Sequence, residues 1–267
     1  MPKALLQDIV RHCDRTLKID EIADYDGAVN GLQVENNGQV SRIAAAVDAS
    51  LATVRKAIEA KADLLVVHHG LFWSPQQPWT GKKRELIGEL VEHNLAVYSA
   101  HLPLDLHPRL GNNAGLLKAL KFTKPKPFFE ERGQFIGLRT STRLCRDILG
   151  SRLKTVLGAP PVKIEGGPSV CRKIGIVTGG AGGSLAKAAA EGVDTFITGE
   201  GAHWTAALAE ELGINVFYGG HYATETFGVK DLIPYLIGFA LDWMVLVLLE
   251  SEDELFALRM MFEKEHK

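Results

Sequence analysis

Arg42-Ile43-Ala44-Ala45-Ala46-Val47-Asp48-Ala49-Ser50, the run Leu51 to Ala62, and Asp63-Leu64-Leu65-Val66-Val67-His68-His69-Gly70 read as strand, helix and strand. The outer pieces are short apolar runs of strand length, bounded by polar residues. Asp48-Ala49-Ser50 is a helix start, because a serine hydroxyl can accept from the N–H groups of a first helical turn. Further out, Leu5 to Leu17 reads as an amphipathic helix, Arg84 to His93 as a helix, Leu95 to Ser99 as a strand and Asn113 to Leu120 as a helix. The loop Phe72 to Lys83 carries Pro75, Pro78 and Gly81. Strands alternating with helices predict an α/β protein with mixed sheets covered by helices.

The second half repeats the first. Sliding Arg42–Gly70 by 131 residues lays it without a gap on Lys173–Gly201, so that Ile43 meets Ile174, Asp63 meets Asp194 and Gly70 meets Gly201. Beyond the proline-bearing loop the offset falls to 120, and Tyr98 meets Tyr218, His101 meets His221 and Asp105 meets Glu225. An internal duplication follows. It predicts two similar α/β lobes, residues 1–125 and 126–267, packed as one compact unit and joined near the Lys-, Pro- and Phe-rich stretch Lys121–Gly133. A site shared by equivalent turns of two lobes would lie in the cleft between them. It would be asymmetric, since Gly199-Glu200 stands where the first copy has His68-His69.

Bulk properties narrow the classes. With 46% hydrophobic and 23% charged residues, the chain has a globular composition rather than a disordered one. A net charge of −2 argues against a nucleic-acid binder that relies on a strongly basic surface. It leaves room for a small anionic substrate. Cys13, Cys145 and Cys171 are scattered and form no Cys-x-x-Cys, as expected of reduced thiols in a cytoplasmic protein. No basic-then-apolar segment opens the chain. The longest apolar run, Ile233 to Leu249, is broken by Pro234, Gly238 and Asp242, so a helix followed by a strand is expected there and no membrane span.

Chemistry gathers just past the apolar runs. Tyr98-Ser99-Ala100-His101-Leu102-Pro103-Leu104-Asp105 and Tyr218-Gly219-Gly220-His221-Tyr222-Ala223-Thr224-Glu225 each place a carboxylate four residues after a histidine. With His68 and His69 they bring four imidazoles and two carboxylates to strand ends, where α/β proteins build sites. Neighbouring histidines on a strand point to opposite faces, but Gly70 lets the chain turn so that both rings can reach one cavity. Imidazole with carboxylate suits Zn, Fe, Ni or Mn, and a carboxylate can bridge two ions. Such a set points to hydrolytic metal chemistry.

Two further strand ends stay open. Thr178-Gly179-Gly180-Ala181-Gly182-Gly183-Ser184 is either a phosphate cradle or a tight turn under close packing. Glu200 is either a general base or a helix-start carboxylate, with His203 near it as a second donor. Trp73 and Trp79 either wall a pocket or pack the proline-bearing loop.

These motifs together resemble the NGG-one-interacting-factor-three-like family, often labelled GTP cyclohydrolase 1 type 2 homologue. Its marks stand here as Asn30–Val34, His68–Trp73, His101–Asp105, Thr198–Glu200 and His221–Glu225. The resemblance implies a two-lobed α/β fold and a dinuclear site for two divalent metal ions. The family's ligand positions match His68, His69, Asp105, His221 and Glu225, with His101 beside the metals as a proton-transfer group. It implies a compact form without an inserted domain and a ring-shaped homohexamer. Its label implies a hydrolase acting on a nucleotide or related heterocycle, with GTP ring opening by water and release of formate, and His101 or Glu200 moving protons. Its founding name supports the alternative, a metal-binding oligomeric scaffold or regulatory partner without turnover. Two departures stand out. Gly27-Ala28-Val29-Asn30-Gly31 replaces the more usual Asp-Asn-Ser-Gly, and Ser251–Lys267 extends past the usual final strand.

Overall fold

The structure of the protein is a computed structural model describing residues 4–73, 75–240 and 245–248. The tail Ser251–Lys267 lies outside them. In chain order the elements are β1 (Ala4–Leu5), α1 (Leu6–Leu17), β2 (Gly31–Val34), β3 (Gln39–Val40), β4 (Arg42–Asp48), α2 (Leu51–Glu59), β5 (Leu64–His69), α3 (Gly81–Glu92), β6 (Ala96–Ser99) and α4 (Leu102–Asp105). There follow α5 (Asn112–Ala119), β7 (Lys126–Glu131), β8 (Gln134–Cys145), α6 (Arg146–Leu157), β9 (Val162–Glu165), β10 (Val170–Ile176), α7 (Leu185–Ala190), β11 (Thr195–Thr198), α8 (Thr205–Leu212), β12 (Asn215–Tyr218), α9 (His221–Ala240) and β13 (Val245–Leu248). Helix α2 starts as the sequence predicts, with the Thr53 amide donating to Ser50 Oγ at 3.1 Å.

Packing divides the chain into one unit of Met1–Leu104 with Val229–Lys267 and another of Asp105–Gly228. The chain therefore crosses at Leu104 and again at Val229, where the sequence pointed to a single junction near residue 125. The reason is local. The middle of Lys121–Gly133 is not a linker but β7, an edge strand paired with β8. Phe128 and Phe129 are buried, and Pro127 is tolerated because an edge strand has one unpaired side. At the other crossing, the apolar segment after Ile233 runs as the end of α9 and then as β13, parallel to β4. This is the expected helix followed by a strand. Among the described residues no helix is long and apolar enough to cross a membrane.

The first unit holds a five-stranded sheet in the order β13-β4-β5-β6-β2, parallel except for β2. Strands β4, β5 and β6 are buried almost throughout, which is why they read as unbroken apolar runs rather than alternating ones. Val54 and Ala57 of α2 and Leu86 and Leu90 of α3 pack with Ala44, Ala46, Leu65, Val67 and Val97. Each fully buried Val or Leu there contributes roughly 1.5–3 kcal/mol.

The second unit holds a six-stranded mixed sheet in the order β7-β8-β10-β11-β12-β9, with β10, β11 and β12 parallel. Leu116 and Leu117 of α5 and Leu149 and Leu153 of α6 pack with Ile174, Ile176, Ile197 and Phe217. Phe129 stacks on Phe196 at 5.9 Å.

Strand pairing tests the sequence repeat. Ile43 pairs with Leu64 and Ile174 with Thr195, which reproduces the 131-residue slide. At the third strand, however, Val66 faces Tyr98 and Ile197 faces Phe217. Tyr98 thus corresponds to Phe217, and the expected match with Tyr218 is one residue out of register. A one-residue slip turns a side chain to the other face of a sheet. The Tyr98 hydroxyl accordingly donates to Asp14 at 2.9 Å, whereas the Tyr218 hydroxyl meets Thr205 at 2.6 Å.

Candidate functional site

In the first unit, β5 delivers His68 and His69, and the turn after β6 delivers His101. His68 is fully buried, and its Nδ1 lies 3.0 Å from the Ala100 carbonyl oxygen. A carbonyl only accepts, so Nδ1 carries the proton and the lone pair sits on Nε2. His69 Nδ1 lies 2.7 Å from Asp48 Oδ1, and His101 Nδ1 lies 2.8 Å from Asp24 Oδ1. All three rings are tied through Nδ1 and present Nε2, the arrangement of metal-ligating histidines with an orienting acceptor behind them. The rings gather at 4.7 Å (His68 to His69), 5.0 Å (His68 to His101) and 5.6 Å (His69 to His101). One nitrogen from each lies within 4.8 Å of the others. The neighbouring rings of His68 and His69 thus lie together beside His101. A Cβ on Gly70 would lie 2.2 Å from Gln33 Nε2 and 2.6 Å from Ser99 Oγ, so those side chains would have to shift to admit one.

The partners behind the rings are themselves held. Asn30 donates to Asp24 at 2.8 Å and accepts from the His101 amide at 2.7 Å. Burial pushes the Asp24 carboxyl up, but the hydrogen bond and charge of His101, with bonds from Asn30 and the Tyr25 amide, hold it below the usual range. Trp73 meets His101 edge-on at 5.0 Å and His69 at 5.9 Å, and its indole N–H donates to the Gly70 carbonyl. It walls the histidines, while Trp79 packs on Phe72 and under Lys83.

In the second unit, α4 and α9 supply the carboxylates. Asp105 is buried and accepts from Asn112 Nδ2 at 2.7 Å. Asn112 in turn accepts from the Gly228 amide of α9 at 2.6 Å. Asn113 donates to the Ile136 carbonyl at 2.9 Å and accepts from the Thr178 amide at 3.0 Å. His221 is the first residue of α9. Its Nε2 lies 3.2 Å from Glu225 Oε1, one helical turn on, and its Nδ1 lies 2.9 Å from Glu200 Oε1. Burial alone would lower the His221 ring, but the two carboxylates outweigh it and raise it to about 9. Glu225 is buried, whereas the Glu200 side chain is 64% exposed. Glu200 thus reaches His221 from an exposed position. His203 is exposed on the turn before α8.

The glycine-rich turn has three of its amides engaged within the fold. Its Gly179 amide donates to Thr224 Oγ1 at 3.1 Å, its Ala181 amide to Thr198 Oγ1 at 3.2 Å and its Gly182 amide to the Glu200 carbonyl at 3.1 Å. Those donors already have partners inside the fold. At Gly179, with φ +75°, a Cβ would lie 2.2 Å from Glu225 Oε1. Glycine is needed so that the backbone can pass the buried carboxylate.

Asp24, Asp48 and Asn112 were not singled out as site residues from the sequence. Asp48 carried a signal: it ends β4 and pairs with His69 on the adjacent strand end. Asp24 and Asn112 carried none, because their contacts join residues far apart in the chain or look like a helix start.

Residues 4–252 match the family model for Duf34/NIF3, NGG1p interacting factor 3. A Deinococcus radiodurans protein named GTP cyclohydrolase 1 type 2 homolog is 38% identical over 90% of this chain and 91% of its own length. A Halobacterium salinarum protein of the same name is 41% identical over 85% of this chain and 91% of its own. The crystal structure of a Thermus thermophilus protein superposes with a TM-score of 0.85 at 35% identity, covering 93% of this chain and 98% of that one.

Proposed function

The chain belongs to the Duf34/NIF3 family, and from that premise we propose that it is a metal-dependent hydrolase acting on a nucleotide or related heterocycle. The two divalent ions would be held by His68, His69, Asp105, His221 and Glu225. The observation that carries this reading is the set of three imidazoles in the first unit, each tied through Nδ1. Rings fixed by an acceptor at one nitrogen and gathered at the other fit divalent Zn, Fe, Mn or Ni. The buried, acid-rich donor set of the second unit fits the same ions.

Ions bound there would supply Lewis-acid polarisation and activate water. The protein's own residues do the rest. Asp48 and Asp24 keep His69 and His101 in one tautomer and orientation. His101, paired with Asp24, would move a proton at Nε2. Glu200 holds His221. Trp73 shields the histidines from solvent and offers a ring edge to a flat heterocycle. The relatives named GTP cyclohydrolase 1 type 2 homolog make GTP the first substrate to try, and the assembly proposed is a homohexamer.

The test is metal content of protein purified without chelators, followed by formate release from GTP. Metal-replete protein should release formate, and His69→Ala should abolish release while keeping its fold. His101→Ala should keep its metal but lose turnover. Protein that holds no divalent metal sinks the proposal. Metal-replete protein inert toward every nucleotide replaces it with the scaffold reading.

A further inference from the structure

We propose that the second unit carries a separate anion pocket, built for a compact polyphosphate group by Lys124, Lys126, Arg139 and Lys173. These side chains line a cavity of about 420 Å³ on the β7-β8-β10 side of the sheet. The strand register sets three of the cations on one face. Lys126 lies directly opposite Arg139, and Lys173 directly opposite Ser141. Arg139 and Ser141 are two apart on β8, so they point the same way. Three adjacent strands therefore each present one cation to the same cavity, and Lys124 adds a fourth from the loop before β7.

That placement works against the fold unless something negative offsets it, since like charges directly opposite across strands are destabilising. Against the four cations the cavity lining sets one carboxylate, Glu191. Among the described residues, Lys124, Lys126 and Lys173 make no ion pair with a carboxylate. The one acid on the rim, Glu191, turns its carboxylate to the amides of Phe129 at 2.8 Å and Glu130 at 3.1 Å. Its backbone carbonyl accepts from Arg139 Nη1 at 2.9 Å. A neutral acceptor holds the guanidinium in place and leaves its charge available. A fixed guanidinium fork with ammonium groups around it matches the oxygens of a phosphate chain. Four cations in one pocket of a chain with net charge −2 suit a small ligand rather than a nucleic-acid track.

The pocket uses none of the proposed metal ligands, so it can be tested without them. Pyrophosphate and GTP are titrated calorimetrically into the full chain, metal-stripped and metal-replete, at low salt. Stripped protein should bind one pyrophosphate per chain, more weakly as salt rises. The double substitution Lys126→Ala with Lys173→Ala should weaken binding at least tenfold without lowering the melting temperature, because both residues are exposed. An equal loss for GTP identifies the nucleotide's phosphate tail as the recognised group. A loss for pyrophosphate alone identifies a free inorganic anion. Binding that is absent from stripped protein, or equal in wild type and double variant, overturns the pocket.

Discussion

The two units share a core of three parallel strands, yet their strand ends carry opposite chemistry. The first gathers three imidazoles, and each gives its Nδ1 hydrogen bond to an oxygen behind it. The second gathers carboxylates around one imidazole, and His221 sits between Glu225 and Glu200. One set is made of imidazoles tied through Nδ1. The other is an acidic pair that keeps a proton on its histidine until something displaces it. Similar scaffolds thus fix where side chains emerge, while the partners behind each side chain fix what it can do.

The largest effect should come from the acidic side. Glu225→Gln replaces a buried anionic donor with a neutral amide. Its loss of metal should exceed the roughly 10–100-fold expected when only an outer partner is removed. Elemental analysis showing undiminished metal would erase the distinction between the two ends. On the imidazole side, Asp48→Asn keeps the shape but weakens the hold on the His69 tautomer, and metal affinity should fall by about 10–100-fold. A competition titration showing no change would mean that orientation from behind is unimportant.

A third contrast concerns stability alone. Asn112→Ala leaves the Asp105 carboxylate and the Gly228 amide without their shared partner, both buried, at a cost of about 1–3 kcal/mol. Urea unfolding with an unchanged midpoint would contradict it.

The smallest effect is pH-dependent. His221 titrates at about 9, above its ordinary 6.5. Its protonated ring therefore stabilises the metal-free fold fully below about 6.5, and that contribution fades as pH rises through about 9. Metal-free His221→Asn should melt below wild type at pH 6, and the gap should close by about pH 10. A constant gap across that range would show that the ring is not held as a cation.

Much of this was legible in the residues. Continuous apolar runs marked β4, β5 and β6, because strands covered on both faces need apolar side chains at every position. Ser50 marked the start of α2, because its hydroxyl satisfies a first-turn amide. His68, His69, His101, His221 and Glu225 were visible as strand-end residues. The Lys121–Gly133 stretch misled, because an edge strand tolerates the lysines and prolines that also fill linkers. The match of Tyr98 to Tyr218 misled too. Identity of side chains does not carry register, and only hydrogen-bonded pairing places Tyr98 with Phe217.

The order of elements, the covered sheets and the chemistry at the strand ends were determined by local pattern, since strand and helix periodicity act over a few neighbouring residues. Only tertiary structure decided that Asp24 stands behind His101, that Asn112 joins Asp105 to α9, that β13 returns to β4, and that cations from three strands face one cavity. Each depends on groups far apart in the chain being brought within hydrogen-bond or van der Waals reach, and no short window of sequence encodes that distance.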